Sequence, residues 1–231
     1  MSYTTASALI DAVRTELDST AASDTVMLRL LNDWFLRCQR LHDFTFQEQI
    51  ASASIATSAT DYSRISQPTD AKEITDLYYL EGSVRNYIDP IPWRDFLQLY
   101  PSPTAANTGD KPAYWSIFRD EIYVMPMNSA ITGQIHYLSY LPEFTISMSN
   151  QFLIFGEDAL RLGLCASYAT WMGAGDKAAA YGQLAGDAIQ SLLKTHQVTK
   201  TRPQQSLIMR TPGTLTRYNA LSRRRLLNGR W

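Results

Sequence analysis

The sequence is poor in the residues that most often build metal and disulfide sites, with two cysteines and three histidines among 231 residues. Cys38 and Cys165 each stand alone in an apolar, helix-like segment, so we expect two reduced core thiols, with a long-range disulfide as the alternative. His42, His136 and His196 lie in different segments without a ligand spacing, whereas a metal site needs several converging ligands. These shortages argue against a secreted disulfide scaffold and against a metal centre.

Long apolar runs are missing as well. No stretch of about 18 apolar residues occurs, so we expect no transmembrane helix and no membrane partner. The N-terminus lacks the basic region followed by an apolar segment that marks a signal peptide, so we expect the chain to stay in the cytoplasm until it assembles with a partner. With 45% hydrophobic and 19% charged residues, the composition is that of one globular domain, or two small ones.

Common catalytic motifs are also missing: the sequence contains no P-loop, dinucleotide-binding glycine motif, nucleophile elbow or H-E-x-x-H pair. Two adjacent acidic pairs occur, Asp120–Glu121 and Glu157–Asp158. Adjacent residues on a helix point about 100° apart, which makes a poor catalytic dyad, and the second pair is explained by a helix start. We therefore predict that the protein is not an enzyme and has no catalytic residue, metal or cofactor.

Acidic residues are absent from the C-terminal part of the chain. All 22 lie at or before Asp187, while residues 201–231 contain seven arginines and no acid. Residues 1–200 carry 14 basic and 22 acidic residues, a net charge of −8, against +7 for the remainder. This division of charge predicts a basic arm that binds an acidic partner surface or nucleic acid. We expect the arm to be extended in the free protein and to become ordered when it binds that partner.

The most distinctive feature of the arm is the triplet Arg223-Arg224-Arg225. It is open to three interpretations: a solvated charge run, a contact with DNA, or docking into an acidic groove of a partner protein. Arginine pairs and stacks while neighbouring apolar side chains bury, which favours the protein groove. The residues predicted to bind the partner are Arg210, Arg217, Tyr218, Arg223, Arg224, Arg225, Leu226, Leu227, Arg230 and Trp231.

Hydrophobic periodicity predicts long helices at 4–18, 24–42, 157–172 and 177–197, and a short helix at 93–99. The segments between them have strand patterns at 46–55, 61–65, 74–80, 84–88, 113–119, 121–126 and 133–140. The predicted fold class is α+β: N- and C-terminal helical hairpins form a four-helix bundle, with an inserted small antiparallel β-domain and an extended C-terminal arm. The predicted domains are the helical bundle (1–44 and 155–200), the inserted β-domain (45–154) and the basic C-terminal arm (201–231).

Aromatic residues concentrate in the predicted β-region. Stacking of nucleic-acid bases on them is one alternative, but the region is acidic overall, which disfavours phosphate binding. Core packing and a subunit interface are the favoured uses. The residues concerned are Tyr78, Tyr79, Tyr87, Trp93, Tyr114, Trp115, Phe118, Tyr123, Tyr137 and Tyr140.

Several stretches in chain order carry a family resemblance: Leu30–Trp34 leading into Phe44–Phe46, Thr60–Ser63 followed by Pro68–Asp70, Gly109–Trp115 followed by Glu121–Pro126, Ile135–Pro142, and Asp176–Ala178 before Tyr181. Together they span most of residues 4–197. They resemble the head-to-tail adaptor (connector) proteins of tailed phages, including tail tubular protein A of short-tailed phages. None of these stretches is a catalytic signature.

The resemblance implies a structural virion protein of the neck and tail, assembled in the host cytoplasm. Its implied partners are the portal protein, a tail tube or nozzle protein, and its own copies in a ring, usually a 12-mer. The C-terminal arm is implied to lie on the portal and the β-domain to face the tail, while DNA passes through the lumen without specific binding. The alternatives are another tail or neck completion protein, or a nucleic-acid-binding module acting through the arm.

Overall fold

The computed structural model describes residues 3–56, 61–101, 111–125 and 127–198. The arm at 201–231, with all ten residues predicted to bind the partner, lies outside these ranges. The described helices are α1 (Ala6–Leu17), α2 (Asp24–Leu41), α3 (Trp93–Leu99), α4 (Gln151–Phe155), α5 (Glu157–Trp171) and α6 (Gly175–His196). The described strands are β1 (Glu48–Ile55), β2 (Ser63–Ser66), β3 (Ala71–Glu81), β4 (Val84–Pro90), β5 (Tyr114–Phe118), β6 (Glu121–Val124) and β7 (Ile131–Ser139).

Local side-chain caps fix the ends of the first two helices. The Thr5 hydroxyl accepts a hydrogen bond from the Ala8 N–H at 3.3 Å, and the Ser23 hydroxyl accepts one from the Val26 N–H at 3.4 Å. Each bond satisfies a helix-start N–H that has no partner within its helix. After α1, Asp18 adopts a left-handed conformation (φ 48°) that stops the helix.

The strands are hydrogen-bonded in the order β1-β7-β3-β4-β5-β6-β2. The pairs β3–β7, β5–β6 and β2–β6 are antiparallel, whereas β4 and β5 run parallel, with Asp89 opposite Tyr114 and Pro90 opposite Trp115. A parallel pair needs a long connection, and the chain between β4 and β5 contains α3.

The chain divides into two compact units, and the first comprises residues 3–53, 67–87 and 132–198. It contains every described helix except α3, together with β3, β7 and most of β1. Its core is apolar and largely helical, and the Phe35 ring lies 4.8 Å from Phe144 and 5.4 Å from Phe152. Other fully buried members are Leu9, Met27, Leu31, Leu160, Leu164 and Tyr168.

The second unit comprises the described residues of 54–66 and 88–131. It contains β2, β5, β6, α3 and the end of β4. Phe96 of α3 is fully buried and stacks with Trp93 at 5.5 Å. The Tyr62 hydroxyl donates a hydrogen bond to the Tyr100 carbonyl, which joins the approach to β2 to the end of α3.

The predicted arrangement of a four-helix bundle with a small inserted antiparallel β-domain is wrong, although the class is α+β. Strands β3, β7 and most of β1 share a compact unit with α1, α2, α4, α5 and α6, and the seven described strands include a parallel pair. Contacts between residues far apart in sequence accompany this arrangement: Gln39 and Lys72 join the end of α2 to β3 and to the chain after β7. Such contacts leave no trace in local periodicity. The predicted domain boundaries (1–44 with 155–200, 45–154 and 201–231) stay a prediction.

Candidate partner-binding surfaces

The described chain ends at a corner of the first unit that fixes where the arm begins. Gln197 forms an antiparallel bridge with Phe44, and the Val198 N–H donates to the Asp43 carbonyl at 3.1 Å. The His196 ring Nδ1 lies 3.5 Å from the Thr45 hydroxyl. We call Asp43, Phe44, His196, Gln197 and Val198 the arm base.

A buried glutamine pair supports the arm base from inside. Gln39 and Gln47 are 1% and 0% exposed, and the Gln47 Nε2 donates to the Gln39 Oε1 at 3.2 Å. Gln39 accepts from the Leu141 N–H at 2.7 Å, while Gln47 accepts from the Phe44 N–H at 3.0 Å and donates to the Ser139 carbonyl at 3.1 Å. The two amides therefore tie the arm base to the end of β7.

A lysine holds the end of α2 beside the arm base. The Lys72 ammonium lies 2.7 Å from the Asp43 carboxylate and donates to the carbonyls of His42, at 2.7 Å, and Gln39. A cation at this position satisfies carbonyls that the helix end leaves unpaired. Partial burial, followed by the charge of Lys72, lowers the pKa of His42 below its ordinary 6.5, so that this imidazole is neutral at neutral pH.

A series of aromatic rings leads from the core to the surface at this corner. Phe44 stacks on Phe46 with 5.0 Å between ring centroids, Phe46 on Phe155 at 5.6 Å, and Phe155 lies 4.8 Å from the ring of His196. Exposure rises along the series, from 0% for Phe44 to 8% for Phe46 and 47% for Phe155. The last ring of the series is thus an apolar surface beside the arm base.

The second unit carries an aromatic surface edged by arginines. The Trp93 ring lies 4.9 Å from Phe118 and 4.8 Å from Tyr123. The guanidinium of Arg119 lies 5.4 Å from the Phe118 ring, and that of Arg64 lies 5.5 Å from the Tyr123 ring. Aromatic and arginine side chains are enriched at protein interfaces, so this cluster is a candidate contact surface.

The predicted aromatic set divides between core and surface. Tyr78, Tyr79, Trp115 and Tyr137 are at most 7% exposed, which confirms core packing for these four. Phe118 is 38% exposed. A subunit interface formed by the exposed aromatic residues stays a prediction.

The predicted state of the cysteines is confirmed, because Cys38 and Cys165 are both buried and unpaired. Burial raises the pKa of each thiol to about 12, so both are protonated at neutral pH and are poor nucleophiles. Across the described ranges, no group of three or more histidine, cysteine, aspartate or glutamate side chains could hold a metal ion. None of the helices described is both long enough and apolar enough for a bilayer crossing.

Sequence reasoning missed the arm base and its glutamine pair. Gln39 lies on an amphipathic helix and Gln47 follows it closely, and glutamine in such a setting is ordinarily exposed. The available signal was weak: Phe46 directly precedes Gln47 and Phe44 lies three residues before it, and two aromatic residues so close together indicate a buried turn.

The fold and these surfaces are those of a protein that binds other proteins. Its two compact α+β units expose aromatic, arginine and apolar side chains, and a basic segment follows the arm base. A family model described as SU10 adaptor protein matches residues 4–210, which is 207 of the 231 residues. The chain belongs to the SU10 adaptor protein family. It is a phage head-tail adaptor, a structural component of the virion that interacts with other head or tail proteins.

The match ends at Arg210, so nine of the ten residues predicted to bind the partner lie beyond it. A comparison with curated proteins gave no match.

Proposed function

We propose that this protein is a non-enzymatic adaptor that joins the portal to the tail as a ring of twelve subunits, in the manner of tail tubular protein A. The ring continues the DNA channel, and the basic arm of each subunit binds the portal. The observation that carries the proposal is the division of charge, −8 over residues 1–200 and +7 over residues 201–231, in a member of an adaptor family. A chain divided in this way suits attachment to an acidic partner.

The arm base supports attachment in a ring. The Phe44–Gln197 bridge and the bond between Val198 and Asp43 give the arm the same starting point in every subunit. Symmetric rings present equivalent sites at equal spacing, and a fixed starting point lets each arm meet its own site. Ordering the arm costs conformational entropy, which arginine pairing and burial of apolar anchors such as Leu226, Leu227 and Trp231 offset.

Charge also supports passage of DNA without specific binding. The first unit carries 9 basic and 16 acidic residues, a net charge of −7. An acidic surface repels phosphate, so a lumen lined by this unit does not hold the genome. The aromatic surface of the second unit, with Trp93, Phe118 and Arg119, is the proposed contact for the tail tube or nozzle protein.

Truncation of the arm tests portal binding. A chain ending at Lys200 should keep the circular dichroism spectrum of the folded protein but fail to co-sediment with portal rings, because the arm is absent. The full chain with Arg223, Arg224 and Arg225 replaced by glutamate should also bind more weakly. Co-sedimentation of the truncated chain at the level of the full chain would contradict the proposal.

A matched control comes from α2, where Arg29, Arg37 and Arg40 are exposed. Replacing these three residues by glutamate changes the net charge by the same six units while leaving the arm intact. We expect this variant to bind portal rings as the natural chain does. Equal losses in the two triple variants would mean that net charge, rather than the arm, governs binding.

The alternative of a nucleic-acid-binding arm is favoured by its seven arginines. It predicts DNA binding that the truncation abolishes and that weakens steeply with salt, since each neutralised phosphate releases counterions. A third possibility, another tail or neck completion protein, predicts binding to tails without portals. Electron microscopy of mixtures with portals and with tails separates these alternatives.

A further inference from the structure

The hairpin formed by β3 and β4 belongs to the first unit as far as Tyr87, and a two-residue turn closes it. Strand β3 ends at Glu81 and β4 begins at Val84, so Gly82 and the serine after it form the turn. Gly82 has the positive φ (63°) that short hairpin turns require. The turn therefore fixes which residues of the two strands lie opposite each other.

Large side chains share one side of this hairpin near its end. Counting back from the turn places Leu80 opposite Arg85 and Tyr78 opposite Tyr87, and opposite residues lie on the same side of a sheet. The contacts agree, because the Tyr78 ring lies 5.4 Å from the Tyr87 ring and 5.3 Å from the Arg85 guanidinium. Leu80 and Tyr87 are 44% and 48% exposed, and Arg85 is exposed as well. We call Leu80, Arg85 and Tyr87 the hairpin face.

The hairpin face has the composition of a protein contact. Within the described ranges, β3 pairs with β7 as far as Tyr79 and β4 pairs with β5 at Asp89 and the next residue, so the face lies beyond these pairings. Tyrosine and arginine are enriched among residues that dominate binding energy. Arg85 already lies over the ring of Tyr78, which reduces the side-chain entropy lost on binding. The hairpin face therefore suits a partner that offers an apolar side chain next to a carboxylate.

Helix α6 of the same unit offers that combination. Leu184 is 49% exposed, and Asp187, also exposed, lies three residues later and so on the same side of the helix. Asp187 is the one charged residue of the sequence between Lys177 and Lys194. We call Leu184 and Asp187 the helix face. Both faces are exposed, so within one subunit neither covers the other.

We propose that the hairpin face of one subunit packs on the helix face of a second copy of the chain. Leu80 and Tyr87 bury Leu184 in this contact. The Arg85 guanidinium pairs with the Asp187 carboxylate. A contact between two unlike surfaces is head-to-tail, and such contacts generate a ring when the rotation between copies closes. This inference rests on the ring of the proposed function and assigns the contact between its subunits.

Disulfide trapping between two full-length variants tests the contact. One variant carries Leu80→Cys, and the other, enlarged by an added tag, carries Leu184→Cys. Under mild oxidation an equal mixture should give mainly the mixed dimer, because the proposed contact joins unlike surfaces. Cys38 and Cys165 do not interfere, since both are buried and have a pKa of about 12. Mixed dimers at no more than the share given by random pairing would overturn the proposal.

The matched control replaces Leu184→Cys by Leu41→Cys in the tagged variant. Leu41 is on α2 and is 68% exposed, so a cysteine there meets other copies by collision at least as readily as one at Leu184. We expect the Leu80 and Leu184 pair to oxidise about ten-fold faster than the control pair, because the contact raises the local concentration of the two thiols. Equal rates would also overturn the proposal.

Charge reversal in the same mixture tests the ion pair. Arg85→Glu in the Leu80→Cys variant should slow formation of the mixed dimer about ten-fold, because it brings two carboxylates together. Adding Asp187→Arg to the tagged variant should restore the original rate, and a further loss in place of recovery would contradict the pairing. No portal is present, so failure of these experiments would leave portal binding by the arm untouched, and failure of portal binding would leave their outcome unchanged.

Discussion

Replacing Gln39 by leucine tests whether the buried glutamine pair holds the arm base. The leucine fills a similar volume but removes the acceptor of the Leu141 N–H, at 2.7 Å, and of the Gln47 Nε2, at 3.2 Å. It also removes the donor to the Leu141 carbonyl at 3.4 Å. The substitution therefore leaves polar groups without partners in a region that excludes water.

The expected loss of stability follows from the burial of each group. A buried donor without an acceptor costs about 1–3 kcal/mol. The Gln47 amide is fully buried but loses only one of its two Nε2 hydrogen bonds, and Leu141 is partly exposed, so each group bears part of this cost. The Gln47 Nε2 keeps its bond to the Ser139 carbonyl, which reduces the loss. We expect Gln39→Leu to lower the free energy of unfolding by about 2–4 kcal/mol.

Urea unfolding followed by circular dichroism measures this change, with Gln190→Leu as the control. Gln190 is exposed on α6, so its replacement should change the free energy of unfolding by less than about 0.5 kcal/mol. Gln39→Leu combined with Gln47→Leu should cost less than the sum of the single variants, because each removes a partner of the other. A loss below about 1 kcal/mol for Gln39→Leu would refute the assigned role of the pair.

Three further predictions concern packing, pH and thiol chemistry. Gly163→Ala should lower the free energy of unfolding by about 1–3 kcal/mol, because the added methyl group would overlap the indole ring of Trp34. Gly186→Ala on α6 is the control, because a methyl group there has no neighbouring atom within 4 Å, and it should raise the free energy of unfolding by about 0.5–1 kcal/mol. Thermal unfolding distinguishes the two variants, and equal losses of stability would contradict the packing argument. Because the pKa of His42 is lowered in the folded protein, the unfolded chain takes up the proton first as the pH falls below 6.5, and the free energy of unfolding decreases. His42→Asn should weaken this dependence of the free energy of unfolding on pH, as measured by urea unfolding between pH 5 and 7. An unchanged dependence on pH would contradict the prediction. Cys38 and Cys165 should resist a thiol reagent at pH 8 in the folded protein and react after unfolding in urea, whereas rapid reaction in the folded state would contradict their raised pKa values.

Local signals made the elements of this fold predictable, but not their assembly. The short helix predicted at 93–99 coincides with α3, and the hydroxyls of Thr5 and Ser23 mark the starts of α1 and α2. The five-residue helix α4 was missed, because so short an element shows little periodicity. The placement of β3 and β7 with the helices involves contacts between distant parts of the chain, such as those of Gln39 and Lys72, which join residues 33 to 102 positions apart.

The candidate surfaces were predictable to different degrees. The charge asymmetry is visible in composition alone, so a basic arm could be predicted together with its arginines. The corner from which the arm starts could not, because it brings Phe44 next to Gln197 across 153 positions of sequence. The exposure of Phe155 could not be predicted either, since an aromatic residue beside other apolar residues is ordinarily assigned to the core.

The arm base also determines where a mechanical load enters the subunit. A pull on the chain beyond Val198 is met first by the bridge between Gln197 and Phe44 and by the bond from Val198 to Asp43. Tension therefore passes into the turn between α2 and β1, which Lys72 and the glutamine pair brace, instead of unwinding α6 from its end. A subunit joined to a neighbour through its C-terminal segment can bear strain there without losing the helix that precedes it.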